Sequence, residues 1–309
     1  MPSNPLGHPL FLAILPWIGA TFALLTAGAL WRERRRRRYP DERALIVPVA
    51  TAIVVSSVFL LSLFAGGIVL AAFAALVGLI GMREYALITR LDGPYHALAS
   101  AWMIASLLLA VFWRAVNLPL LPLALFLAVT LVPILSGRVN GAHRQVSGAI
   151  FGYLYIGLPL AYLVFIRSWQ TWGLGFLLIV CAAAWLSDTC GYTVGSKAKG
   201  PRLAPVVSPG KTWSGAVGSV VGTVAGVLVM QQAVHLPLNT VSLVLIAISI
   251  AICAIWSDLI ESFVKRDFKV KDAGSTMPGF GGILDRFDSL LITIPVVYYV
   301  MLGVRHFSS

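Results

Sequence analysis

Stretches of about 20 apolar, largely uncharged residues alternate along this chain with short segments that carry nearly all of its charge. A hydrocarbon core about 30 Å thick takes a helix of about that length to cross, so each stretch predicts a membrane-spanning helix. Ten are counted, at 9–31, 44–65, 67–83, 98–113, 118–136, 147–166, 171–192, 213–234, 240–260 and 284–304. Several contain proline or glycine, for example Pro16, Pro159 and the series Gly215, Gly218, Gly222 and Gly226. Small residues spaced this way let membrane helices approach closely, so tight packing is the expected role.

The composition agrees. Apolar residues make up 59% and charged residues 11% of the chain, against about 25% charged in soluble domains, which excludes a soluble globular protein. The predicted architecture is an all-α polytopic integral membrane protein of about ten transmembrane helices. Short cytoplasmic loops keep lysine and arginine. With the N-terminus outside, the inward segments hold 20 of the 23 basic residues and leave only Arg114, Arg167 and Arg305 outside. Both termini are therefore expected outside, and an all-helical span set fits a bacterial inner membrane. The net charge of +11 then suits anionic headgroups or a polyanionic substrate, not nucleic acid.

Three further features are read plainly. The run "RERRRRR" at 32–38 serves as a topological anchor or a headgroup contact. The first apolar run is too long for a cleavable signal peptide, and its basic residues follow it. Cys181, Cys190 and Cys253 lie in membrane segments and suggest neither a disulfide framework nor a zinc site.

Chemistry is expected late in the chain, because seven of the twelve acidic residues lie between 188 and 288. Asp188 ends one apolar run, Asp258 ends another with Glu261 one turn later, and Asp285 starts the last helix. A charge at the membrane boundary costs a few kcal/mol unless paired, hydrated or ion-bound. Each carboxylate alone could snorkel to water, but all three emerge at one face. Asp258 and Asp285 are separated by a single loop, and oxygen ligands so presented suit Mg²⁺; Asp288 adds to that site or supports it.

The loops carry the opposite charge. The stretch "SKAKGPRLAPVVSPGKTWSG" at 196–215 is expected as a loop whose lysines and backbone amides can meet a triphosphate. Its "SPGKT" lacks the spacing and preceding strand of a Walker A motif. Lys265, Arg266, Lys269 and Lys271 form a second basic cluster, followed by Gly274, Gly279, Gly281 and Gly282.

"SDTCGYTVGSKAKGPRLAPVVSPGKTWSG" followed by "SDLIESFVKRDFKVKDAGSTMPGFGGILDRFDS" resembles the phosphatidate cytidylyltransferase (CDP-diacylglycerol synthase) family. The second block is similar to its signature S-x-x-K-R-x(4)-K-D-x-[GSA]-x(2)-x-P-x-H-G-G-x-x-D-R-x-D. Ser262, Lys265, Arg266, Lys271, Asp272, Gly274, Pro278, Gly281, Gly282, Asp285, Arg286 and Asp288 match it. The likeness is sharp over about 182–289 and looser around "REYALITR" at 83–90, where the family has a similar acidic and aromatic stretch.

The resemblance implies CTP and phosphatidate as substrates, CDP-diacylglycerol and pyrophosphate as products, and Mg²⁺ with a possible second cation. By it, Asp258 and Asp285 hold metal and Asp188 joins the polar cavity. Ser208, Lys211, Lys265, Arg266, Lys271 and Arg286 meet phosphates; Ser262, Asp272, Gly281, Gly282 and Asp288 complete the motif. It implies a homodimer, with the acyl tails entering sideways from the inner leaflet. Segment 1–43 reads as an added helix and basic tail, 44–180 as N-terminal membrane helices, and 181–309 as the catalytic region.

The chain departs from the family at Phe280 (usually His), Ser214 (usually Glu) and Ser257 (usually Gly). A relative acting on another lipid phosphate or nucleotide, a weakened binding protein, or a transporter that kept the cavity are the alternatives. A transporter has no need of two Lys- and Gly-rich loops on one face. An imidazole can donate to a phosphate oxygen and a phenyl ring cannot. Phe280→His is therefore expected to raise the rate of CDP-lipid formation, up to roughly 10²-fold if that donor acts as a general acid or base. A lower rate would mean a site rebuilt around the ring.

Overall fold

The computed structural model describes residues 8–36, 46–113, 117–169, 172–270, 274, 276, 277 and 281–308. Its helices are α1 (Pro9–Arg36), α2 (Ile46–Ala65), α3 (Gly67–Thr89), α4 (Gly93–Phe112), α5 (Leu121–Ser136), α6 (Ala142–Gly152), α7 (Leu158–Arg167), α8 (Gly173–Ala198), α9 (Trp213–Val234), α10 (Thr240–Asp267), α11 (Leu284–Leu291) and α12 (Thr293–Ser308). A 3₁₀ turn at Leu118–Leu120 leads into α5. A π turn at Tyr153–Gly157 joins α6 to α7, and α11 runs on into α12, so ten spans long and apolar enough to cross a membrane are present among the described residues. The protein is an all-α integral membrane protein with the ten predicted spans.

The helices differ from the predicted runs at one set of ends. α3 continues to Thr89, α8 to Ala198 and α10 to Asp267, past the point where the sequence turns polar. Hydropathy marks the part of a helix that lies in hydrocarbon; the backbone ladder continues into the polar boundary. Those extra turns carry Glu84, Ser196, Lys197, Glu261 and Lys265. The segment expected as a loop at 196–215 instead holds a short antiparallel hairpin, β1 (Arg202–Ala204) paired with β2 (Ser208–Thr212). Thr212 then caps α9, its hydroxyl accepting from Gly215 N at 3.1 Å.

Buried side chains run through the middle of the bundle, with the span α6–α7 the most enclosed. Its π turn precedes Pro159, which has no N–H to complete the normal ladder. α1 lies at the periphery and shows Leu12, Trp17, Leu24 and Trp31 to the surroundings. Arg167, one of the three basic residues expected outside, spends its charge on the end of α2, donating to Leu63 O at 2.6 Å and Phe64 O at 3.0 Å.

The glycine series in α9 packs on α8 as expected. A Cβ on Gly222 would meet Leu186 O at 2.5 Å and Cys190 Cβ at 2.7 Å, and one on Gly226 would meet Ala183 Cα at 2.9 Å. This contact fixes where the end of α8, and with it Asp188, stands against the hairpin. Gly222→Val is expected to destabilise the fold by about 1–3 kcal/mol through overpacking, read as a lower Tm of the detergent-solubilised protein. Gly19→Val, on α1 with open space around it, is the control that should leave Tm unchanged.

Candidate active site

The polar ends of α3, α8 and α10, the start of α11 and the hairpin meet at one end of the bundle. Between α8, the hairpin, α9 and α10 lies a half-open cleft of about 380 Å³, lined by Asp188, Tyr192, Ser208, Lys211, Thr212 and Asp258 among others. Four residues expected from two separated stretches of sequence therefore share one cavity. The hairpin accounts for this: β2 brings Lys211 back over the end of α10, where its Nζ lies 2.5 Å from Asp258 Oδ2 and donates to Ile255 O at 3.3 Å.

Asp258 and Glu261 are one turn apart on α10, and Asp288 reaches them from α11. Oxygens of these three carboxylates lie within 4.8 Å of one another. Asp288 Oδ1 accepts from Ser289 N at 2.8 Å, and the Ser257 hydroxyl reaches the Asp288 carbonyl while accepting from Ile292 N at 3.3 Å. The departure at Ser257 thus ties α10 to α11. The departure at Ser214 has a local role too, donating to Lys199 O at 2.5 Å.

Asp285 faces a different partner. Lys265 Nζ sits between Glu261 Oε2 at 2.9 Å and Asp285 Oδ1 at 2.8 Å, and Asp285 Oδ2 accepts from Gly282 N at 2.8 Å. The carboxylate cluster thus joins Asp258 to Asp288 and not to Asp285, which the sequence paired with Asp258; Asp285 stands beside Lys265. Glu261 Oε1 is buried and accepts no hydrogen bond from the protein. An all-oxygen cluster with such an unsatisfied acceptor is a donor set that fits a hard divalent cation.

The remaining expected residues divide. Ser262 is half-buried beside Glu261, and Gly281, with a φ of 89°, exchanges a bridge with Met277, whose N donates to Gly281 O at 2.8 Å. Arg266 and Arg286 are exposed at the same end, Arg266 donating to Val270 O at 3.4 Å. Lys271, Asp272 and Phe280 lie outside the described residues.

Glu84, the acid of the "REYALITR" stretch, was not among the expected site residues. It is buried, with 4% exposure, on the last turns of α3, and accepts from Ile283 N and Leu284 N, each at 3.1 Å, and from the Thr276 hydroxyl. The N-terminal half, nearly featureless by sequence, thus supplies the support under the signature loop. Its signal was a carboxylate just past a span that hydropathy ends at residue 83.

Residues 47–303 match the model of the cytidylyltransferase family. The chain belongs to that family. It is 32% identical over 263 residues to the phosphatidate cytidylyltransferase of Staphylococcus epidermidis, covering 83% of this chain and 98% of that protein. It is 32% identical over 252 residues to the one of Brucella suis, covering 81% and 90%, and 33% identical over 192 residues to the one of Bacillus subtilis, covering 62% and 71%. This cytidylyltransferase is a nucleotidyltransferase, and its Lys265 is the counter-charge of two enclosed carboxylates. Lys265→Met strands both of them, so a loss of roughly 3–5 kcal/mol is expected, measured as a large fall in Tm. Arg266→Met, at an exposed neighbour, should move Tm little.

Proposed function

We propose that the protein is a phosphatidate cytidylyltransferase, joining CTP and phosphatidate to give CDP-diacylglycerol and pyrophosphate. The observation that carries this reading is the cleft in which a lysine-bearing hairpin faces the carboxylates of α8 and α10. Cation donors on one wall and oxygen ligands on the other are what a metal-bound triphosphate requires. The names of the relatives support the choice of lipid and nucleotide.

The proposed chemistry is a single displacement. A phosphate oxygen of phosphatidate bonds to the α-phosphorus of CTP, the bond from that phosphorus to the bridging oxygen breaks, and pyrophosphate leaves with the electron pair. No covalent enzyme intermediate is needed, so the protein's work is positioning and charge neutralisation. Lys211 and Ser208 on β2 hold the triphosphate against the cleft wall, with Asp188 opposite. Arg266 and Arg286, exposed at the same end, receive the lipid phosphate, as do Lys271 and Lys269 in the loop between α10 and α11.

Asp258, Glu261 and Asp288 would hold Mg²⁺, which when bound neutralises the phosphates as charge moves to the leaving group. Asp285 fixes Lys265 beside this cluster; the second cation implied by the family resemblance would take Asp285 if Lys265 turned to phosphate.

The basic residues gathered at the catalytic end support a cytoplasmic active face, with both termini of the ten-span chain outside. The family match begins after α1, which supports reading 1–43 as an addition to the core. A homodimer follows from the resemblance alone.

The test uses purified protein in detergent with labelled CTP, Mg²⁺ and phosphatidate. A CDP-lipid is expected, and Asp258→Asn should reduce its formation by at least roughly 10²-fold, since the variant loses both a metal ligand and the partner of Lys211. Absence of product with every lipid phosphate and nucleotide tried, from folded protein, would refute the enzymatic reading. Wild-type rates in the variant would refute the metal assignment.

A further inference from the structure

We infer that Glu84 is a positioning residue that sets the register of the metal-binding end from the opposite half of the chain. The inference rests on the reading of cytidylyl transfer above. Both carboxylate oxygens are committed: Oε1 takes the Ile283 amide and the Thr276 hydroxyl, and Oε2 takes the Leu284 amide. Those amides are the first free donors of α11, so a side chain from α3 caps a helix nearly 200 residues further along. A carboxylate at this end of a helix is favoured by the partial positive charge there.

The same carboxylate explains two glycines of the signature. A Cβ on Gly274 would meet Glu84 Oε1 at 2.7 Å, Cδ at 3.0 Å and Cγ at 3.1 Å, with no other group among its three nearest neighbours. A Cβ on Gly282 would meet Glu84 Oε2 at 2.7 Å and Gly274 N at 2.9 Å. Gly274, Thr276, Gly282, Ile283 and Leu284 therefore close on the carboxylate, and the backbone it grips at Ile283 and Leu284 runs directly into Asp285 and Asp288. Gly282 is the residue whose amide fixes Asp285.

Glu84 touches neither cleft nor cluster, so its action is on geometry. CTP is held by α8 and the hairpin, elements that Glu84 does not grip, whereas Asp288 rides on α11, which it does. Loss of the carboxylate should lower kcat and metal affinity while leaving KM for CTP nearly unchanged. A side chain that served stability alone would move Tm and leave kcat per folded molecule intact.

The experiment compares wild type, Glu84→Gln, Glu84→Ala, Gly274→Ala and the double variant Glu84→Ala/Gly274→Ala, with Mn²⁺ as an electron paramagnetic resonance probe of the metal site. Glutamine keeps the shape but turns an N–H toward a backbone N–H. It should weaken Mn²⁺ binding by about 10-fold or more and lower kcat by up to roughly 10²-fold. Gly274→Ala should be damaging alone and add little once Glu84 is alanine, because the group it collides with is gone.

If the Glu84 variants do not fold, Thr276→Val removes one donor alone and should produce a smaller shift in the same direction. Unchanged Mn²⁺ affinity in every folded variant, or fully additive effects of Glu84→Ala and Gly274→Ala, would overturn the inference. Because Mn²⁺ binding and additivity are read without turnover, they remain decisive even if the wild type forms no CDP-lipid.

Discussion

The polar end of this bundle depends on the ammonium group of Lys265. A membrane protein can place carboxylates at the edge of hydrocarbon only if something meets their charge, and here Glu261 and Asp285 share that one nitrogen. The bridge spans two elements, α10 and α11, so the electrostatic requirement is also a structural tie. Ser257 reinforces it from the backbone side, and Glu84 holds the start of α11 from below. With these three contacts in place, Asp288 is presented to Asp258 and Glu261 without any of them needing a loop to hold it.

Lys211 does for the cleft what Lys265 does for the cluster. Its ammonium rests on Asp258, yet it sits on a hairpin strand rather than on a membrane helix, so it is the more easily withdrawn of the two. A nucleotide bringing its own cation would free Lys211 from Asp258 and give it a phosphate in exchange. Charge is then conserved locally as the substrate arrives, which keeps the enclosed carboxylates compensated in both states. This is the kind of exchange that lets a polar site sit at a membrane edge without losing stability when it is empty.

The span set was legible because a single physical quantity, apolar length, decides it, and the ten spans among the described residues overlap the ten predicted runs. The cavity residues Asp188, Ser208, Lys211 and Asp258 were legible as chemistry, but their meeting was not, since it depends on β1 and β2, three and five residues long, with no alternating pattern to announce them. The partition between Asp285 and Asp288 was hidden for a similar reason. Both are acids one turn apart on α11, and only the packing of α10 determines which one faces Lys265. Glu84 stood out only as the acid of "REYALITR" and without a role, because its partners, two backbone amides and the Thr276 hydroxyl, lie nearly 200 residues further along.

That asymmetry bears on the departures from the family pattern. Ser257 and Ser214 differ from the usual residues, and each makes hydrogen bonds within the protein, to α11 and to the end of α8 respectively. Such changes alter how the scaffold is tied together and leave the oxygen cluster and the lysines in place. Phe280 is of another kind, because a phenyl ring removes a donor and supplies none. If transfer of the cytidylyl group is governed by charge, held in Lys211, Lys265 and the carboxylates, then one lost donor lowers the rate without changing the reaction. If proton movement at the lipid phosphate governs it, the same substitution strikes the limiting step. The first case accords with the ion pairs at this end, Lys211 with Asp258 and Lys265 with Glu261 and Asp285.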